Sequence, residues 1–194
     1  MSSASLSRTE VAQRLRAVLL DPEEAAGLDV IGRIDAAVLV PLYLRDGDLH
    51  AVFTRRRDDM RRHPGEISFP GGRQDEDEFD LRDTALRESE EEIGLHPDEV
   101  ELIGALQPTP TIATNYAVYP FVGLIEPGHE WQPSANEVAE VMEVPLRALR
   151  ADELDRARRE ADLLLGLAQG GQAEVGLVVV LAPAGERDLA GVAA

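Results

Sequence analysis

Over residues 8–20, Val11, Leu15, Val18 and Leu19 recur at helical spacing, and Ser7 stands three residues before Glu10, as in a capping box. The pattern predicts a short amphipathic helix. Residues 21–32 carry proline, glycine and acids and read as a connector. Ile34–Leu44 is a long apolar run rich in β-branched and small residues, which predicts a buried strand. Asp46-Gly47 is a hairpin signal, and Leu49–Arg55 is the returning strand. From Arg57 to Phe79 the chain is polar, glycine- and proline-rich, and far too long for a plain turn. Loops of that length in a compact domain are usually functional or disordered. Asp80–Ile93 predicts a helix, with Asp80 as N-cap, Leu81, Ala85 and Leu86 as its apolar stripe and Gly94 as its stop. Val100–Leu106, Tyr116–Ile125 and Glu137–Val144 predict strands. Pro145 opens a helical passage through Leu167 with a break near Ala151, Gly170-Gly171 mark a turn, and Val175–Leu181 is a last strand. Strands interspersed with helices predict one mixed α/β domain with helices packed on its sheet. That domain takes residues 31–194, after an N-terminal helix and connector at 1–30.

Composition narrows what such a domain does. A length of 194 residues suits one domain with a sizeable core. No apolar run approaches the ~20 residues of a membrane span, and the N-terminus lacks the basic-then-apolar order of a secretion signal. The absence of cysteine excludes disulfides, thiolate zinc sites and cysteine nucleophiles, and fits a cytoplasmic protein. A net charge of −18 repels nucleic-acid backbones and anionic membranes, so neither is an expected partner. An anionic substrate would require the chain to reverse its own field locally, with a metal ion or clustered arginines. Both possibilities lie in residues 54–92.

In Arg87-Glu88-Ser89-Glu90-Glu91-Glu92-Ile93-Gly94-Leu95, helical spacing places Glu88, Glu91 and Glu92 on one face. Like charges at that spacing oppose helix formation, and a divalent cation converts the repulsion into coordination. Oxygen-only ligands favour Mg²⁺ or Mn²⁺ over zinc. Arg87 is placed to hold a glutamate side chain in position. The competing reading is a solvated acidic face, the usual fate of a charge run. Phe69-Pro70-Gly71-Gly72 upstream weighs against it, because its glycines let the backbone approach a ligand or offer a carbonyl to a metal.

Gly72, five residues, Glu78, then Arg87-Glu88-Ser89-x-Glu91-Glu92-x-Gly94-Leu95 resembles the Nudix box. Two departures stand out. Eight residues rather than seven separate Glu78 from Arg87, and Ser89 replaces a bulky aliphatic residue. A second signature, Thr54-x-Arg56-Arg57-x3-Arg61-x3-Gly65-x3-Phe69-Pro70-Gly71-Gly72, resembles the motif that precedes the box in the coenzyme A pyrophosphatase branch of that family. Val52 and Phe53 replace its two leading leucines, and Arg57 stands where a small residue is usual. Weaker likeness continues through Pro108–Thr111, Tyr119–Gly123 and Asn136–Val141.

The resemblance implies a Nudix-type α/β/α sandwich with a mixed sheet. It also implies metal-assisted attack of water on a diphosphate, with a coenzyme A-like nucleotide as small-molecule substrate. It implies Glu88 and Glu92 as the main ligands of Mg²⁺ or Mn²⁺, with Glu91 and the Gly71 carbonyl completing the shell. Arg87 orients the glutamates. The proton acceptor is Glu91 or Glu88 first, then Glu137, with Glu140 a more distant candidate. Arg56, Arg61, Gly65, Phe69 and Gly72 would contact substrate. Arg55, Arg57 and Arg62 are expected to face solvent or pair with the acid-rich loop Asp75–Asp80. His63, inside the second signature, is the histidine to test; Trp131 and Tyr116 read as packing rather than as adenine stackers. Another nucleoside diphosphate derivative is the alternative substrate, and a nucleotide-sensing module without catalysis the alternative class. Leu189–Ala194 only faintly echoes the family's closing segment. Either Glu153–Leu167 replaces the closing helix, or one face is left less covered, which favours a homodimer.

Overall fold

The computed structural model describes residues 7–32, 34–60, 63–111 and 115–149. Arg61, Arg62, the helical passage beyond Leu149, the strand at 175–181 and the C-terminal echo lie outside the described residues, and with them the expectations about a closing helix and a dimer.

Burial on both faces, continuous from Leu39 to Tyr43, makes β1 (Ile34–Arg45) a central strand. Its odd positions Ala37, Leu39 and Tyr43 enter one core and its even positions Val40 and Leu42 the other. The Asp46-Gly47 turn returns the chain as β2 (Asp48–Arg56), antiparallel to the end of β1. Two short strands, β3 (Ile67–Ser68) and β4 (Gly71–Arg73), follow within the long polar loop. β3 pairs with β2, whereas β4 pairs with the beginning of β1. The sheet runs β3-β2-β1-β7-β5, with β8 (Val138–Pro145) also on β2 and β6 (Thr109–Pro110) on β7 (Tyr116–Leu124). β7 is parallel to β1 and antiparallel to β5 (Glu101–Ala105), so the sheet is mixed.

One face carries α3 (Leu81–Ile93), whose Leu81, Ala85 and Ile93 join Ala37, Leu39 and Phe121. The opposite face receives α1 (Arg8–Arg16), where Val11 and Ala12 meet Val40, Ala51 and Phe53. Helix, sheet and helix form three layers. α1 keeps its Ser7–Glu10 capping box but ends at Arg16 rather than at residue 20. The chain leaves the helix because Leu20 exchanges two backbone hydrogen bonds with Ala105 of β5. The connector also contains a short helix, α2 (Pro22–Ala26), capped by Asp21 with proline in its first turn. Among the described residues no helix is long and apolar enough to cross a membrane.

Candidate active site

α3 starts where the Asp80 side chain accepts from the Arg82 N–H, and it stops at Gly94, whose φ of 74° a side chain would resist. Its C-terminal carbonyls are covered by the loop before β8: Gln132 N–H donates to Ile93 O and Ser134 N–H to Glu92 O. That capping brings Glu137 to the same end of the helix.

On the sheet side stands the glycine turn. Leu39 N–H donates to Pro70 O and Gln74 N–H to Asp35 O, so Ala37 and Gly72 form the hydrogen-bonded pair between them. In that alternation the peptide groups of Gly71 face away from β1. The Gly71 N–H donates to Glu92 Oε2 at 3.2 Å. Gly71 has φ 151° and lies against Val38, where a Cβ would come within 2.5 Å of the Val38 Cα. Gly72 opens space for a carboxylate: its Cβ would stand 2.5 Å from the Cδ of Glu88. The two glycines thus admit Glu88 and Glu92 to the strand.

The inward carboxylates are not equivalent. Glu92, with an 8% exposed side chain, has that one amide donor and the Arg56 Nη1 at 3.9 Å. Burial, abetted by Glu88 and Glu137, pushes its carboxyl up to about 7. Glu88 is also raised, again mainly by burial, with Arg87 opposing and Glu91 and Glu137 adding to the rise. Glu91 turns outward, 60% exposed, and receives the Arg87 Nη1 at 3.2 Å. The three glutamates therefore share the helix face unequally, because Glu91 lies toward Arg87 and solvent. Among the described residues no three acidic or histidine side chains converge as a ready cation cage; Arg87 draws Glu88 and Glu91 to itself.

Arg87 donates to four groups, Glu91 among them, and has Asp75 as a further acidic neighbour at 3.7 Å. Its Nε donates to Glu78 Oε1 at 2.7 Å, and its Nη2 donates to Glu88 Oε1 at 3.0 Å and to the Arg73 carbonyl at 3.4 Å. Glu78 also accepts from Thr84 Oγ1 at 2.8 Å and from the Asp75 N–H at 3.0 Å. The Arg87 guanidinium, helped by these donors against burial, holds the Glu78 carboxyl down to about 2. The Glu78–Arg87 contact forms despite the eight-residue spacing, and α3 is helical throughout Leu81–Ile93.

Alternation along β2 sorts the arginines. Arg56 shares the α3 face with Val52, while Arg55 points to the other face and pairs with Glu140 at 3.4 Å. Glu140 is thus removed from the glutamates of α3. Arg57 forks onto Asp59 and donates to the Ala135 carbonyl. Neither Arg55 nor Arg57 reaches the acid loop at 75–80, whose Asp75 and Glu78 go to Arg87 and whose Asp80 goes to Arg82. Phe69 needs correction: it is buried and stacked on Phe53 at 4.4 Å in the opposite core, so it anchors the turn rather than facing substrate. Gly65 sits in the loop with φ 71°, tight against Asp58, and has no contact with the glutamates. His63 has φ 53° and pairs with Glu66 at 2.8 Å. Trp131 donates to Glu143 and packs on the core, and Tyr116 is tied to Thr111.

A family model described as NUDIX domain matches residues 33–164. The chain belongs to the Nudix family. This Nudix chain is 48% identical over 111 residues to a Mus musculus protein named peroxisomal coenzyme A diphosphatase NUDT7, covering 57% of this chain and 46% of that one. The chain therefore spans less than half the length of the mouse relative. It is 42% identical over 138 residues to an uncharacterized Nudix hydrolase, NudL, of Enterobacter sp. (strain 638), covering 69% and 71%. Among solved structures, a Nudix hydrolase from M. smegmatis, RenU, superposes with a TM-score of 0.52 at 16% identity over 79% of this chain and 98% of that one. A C. elegans Ap4A hydrolase gives a TM-score of 0.50 at 17% identity over 70% and 100%. These structural likenesses show the Nudix fold.

Proposed function

We propose that this Nudix chain hydrolyses the diphosphate of coenzyme A or an acyl-coenzyme A, giving 4′-phosphopantetheine, or its acyl form, and adenosine 3′,5′-bisphosphate. The observation that carries the hydrolase reading is the pair Glu88 and Glu92, two largely buried like charges set against Gly71-Gly72. The substrate is supported by the second signature and by the likeness to the mouse coenzyme A diphosphatase. The acidic, cysteine-free composition and the bacterial NudL relative support a cytoplasmic setting.

The donor set suits Mg²⁺ or Mn²⁺. Carboxylate oxygens are hard ligands, one or two suffice for magnesium, and the rest of its shell comes from waters and substrate phosphates. Glu88 and Glu92 would hold the ion, with the outward-facing Gly71 carbonyl and Glu91 as further donors. When bound, such an ion neutralises phosphoryl charge and lowers the pKa of water. Arg87 fixes the direction of Glu88. Arg56 offers two nitrogens in a fork that matches a phosphate. Glu91 or Glu88, and after them Glu137, would accept the proton of the attacking water, Glu91 only after turning inward from Arg87. The test is product analysis in ¹⁸O water with coenzyme A, dephospho-coenzyme A and ADP-ribose under Mg²⁺ or Mn²⁺. Coenzyme A should be cleaved, with ¹⁸O in one phosphate product. Cleavage of ADP-ribose with coenzyme A left intact would overturn the substrate, and hydrolysis of none of the three would overturn the reading.

A further inference from the structure

Arg55 and Arg56 end β2 and Arg57 follows them, and of these three Arg56 is left poorly paired. Arg57 makes two hydrogen bonds to Asp59 at 2.8 Å, and Arg55 has Glu140 and Asp58. Arg56 lies between two carboxylates without closing on either. Its Nη1 is 3.9 Å from Glu92 Oε1, its Nη2 is 3.9 Å from Glu137 Oε2, and its buried Nε has no hydrogen-bond partner. A guanidinium carries five N–H donors, and a buried donor without an acceptor is costly. Arg87, on the same helix face, shows how tightly such a group can be satisfied when acceptors are in reach.

The strand facing Arg56 is irregular. Arg55 is opposite Glu140 and Arg56 opposite Val138, so Ala139 is an extra residue of β8 and a bulge sits across from Arg56. Such a bulge bends the strand that carries it, here β8 just after Glu137. Below it, Arg57 N–H donates to Glu137 O, so the strand end carrying Arg56 is tied to the loop carrying Glu137. The fork is held near its acceptors but short of them.

We propose that Arg56 couples cation binding to diphosphate binding: it serves as counter-charge to Glu92 and Glu137 until a divalent cation takes Glu92, and is then freed to fork onto a substrate phosphate. The inference rests on the hydrolase reading above. Two cations compete for Glu92, so the first must give way to the second. An anion that accepts the released guanidinium favours the exchange, and by linkage the cation favours the anion equally.

The test titrates the full chain with Mn²⁺ by electron paramagnetic resonance, with and without α,β-methylene-ADP. In the wild type the nucleotide should tighten Mn²⁺ binding about tenfold or more, within the usual range of coupling between sites. Arg56→Gln should bind Mn²⁺ alone several-fold more tightly and lose most of the tightening by nucleotide. Arg56→Lys, which keeps the charge, should return Mn²⁺ affinity to the wild-type level, and Arg55→Gln should match the wild type. Should Arg56→Gln not fold, the wild type carries the test: the Arg56 Nε–H nuclear resonance should move along a nucleotide-free Mg²⁺ titration. Mn²⁺ affinity of Arg56→Gln equal to or below the wild type, or an Arg56 resonance unmoved at Mg²⁺ saturation, overturns the coupling and leaves the hydrolase reading standing. A wild-type chain that binds no Mn²⁺ with or without nucleotide overturns both.

Discussion

Glu78 and Glu92 are two carboxylates of one motif, both largely buried against α3, with side-chain exposures of 15% and 8%. Their surroundings drive them in opposite directions. Glu78 meets a guanidinium, a hydroxyl and an amide, all donors within 3.0 Å, and stays ionised far into acid. Glu92 has one amide at 3.2 Å and a distant Arg56, and it faces Glu88 and Glu137. Burial alone therefore does not decide what a carboxylate contributes; the count of donors does. The Glu78 side fixes the frame of the site. The Glu92 side holds a carboxylate that its neighbours compensate poorly, as the cation-binding role proposed for it requires.

The contrast breaks first at Glu92. Glu92→Gln should lower coenzyme A turnover at least about a hundredfold if ligation by this carboxylate carries the rate, and near-normal turnover would reject its role. The same variant should make the metal-free protein more stable at pH 8. The sign follows from the carboxyl rising from an ordinary 4.5 to about 7 on folding. Between those values the unfolded chain has lost the proton that the folded chain keeps. Stability therefore falls as pH rises from about 4.5 through about 7, by up to about 3 kcal/mol. Urea unfolding without metal should show the variant ahead of the wild type at pH 8 and level with it near pH 4. Glu78 should act in reverse: with its carboxyl at about 2, its contribution is complete above about 4.5 and lost as pH falls through 2. Glu78→Gln should cost about 2 kcal/mol at pH 7, and a variant as stable as the wild type would remove Glu78 from the frame.

Much of this was legible in the residues. The glutamate run, Asp80 as cap and Gly94 as stop defined α3, and the second signature set Arg56 apart from its neighbours. Other parts were hidden for physical reasons. β3 and β4 have two and three residues, too few to show any periodicity. Asp21-Pro22 is a helix-start signal, but the five residues of α2 gave it no apolar stripe to support. Phe69 belonged to a motif that reads as a ligand contact, and only the sheet shows that it turns toward Phe53. Eight residues rather than seven after Glu78 obscured its partner, because spacing alone does not reveal that the chain still folds Glu78 back onto Arg87. Gly72 was read as a substrate contact, whereas its nearest neighbour is Glu88. Gly72→Ala should push that carboxylate off its position and lower turnover about tenfold, an effect between those of a lost ligand and a silent change. Mn²⁺ titration of the variant checks it; unchanged affinity would mean that Glu88 relocates freely.

The smallest effect should come from Ser89, the other departure from the family pattern. It is completely buried on α3, and a polar group there would be expensive if unpaired. Its hydroxyl donates to the Ala85 carbonyl at 2.7 Å, within its own helix, and asks nothing of Glu78 or Glu92. Ser89→Ala removes that hydroxyl together with its need for a partner and raises helix propensity slightly, so stability should change by less than about 0.5 kcal/mol. Turnover should also be unchanged. A loss above about 1.5 kcal/mol would mean that the inner face of α3 depends on this bond. The cost assigned to Glu92 would then have to be shared with the helix that carries it.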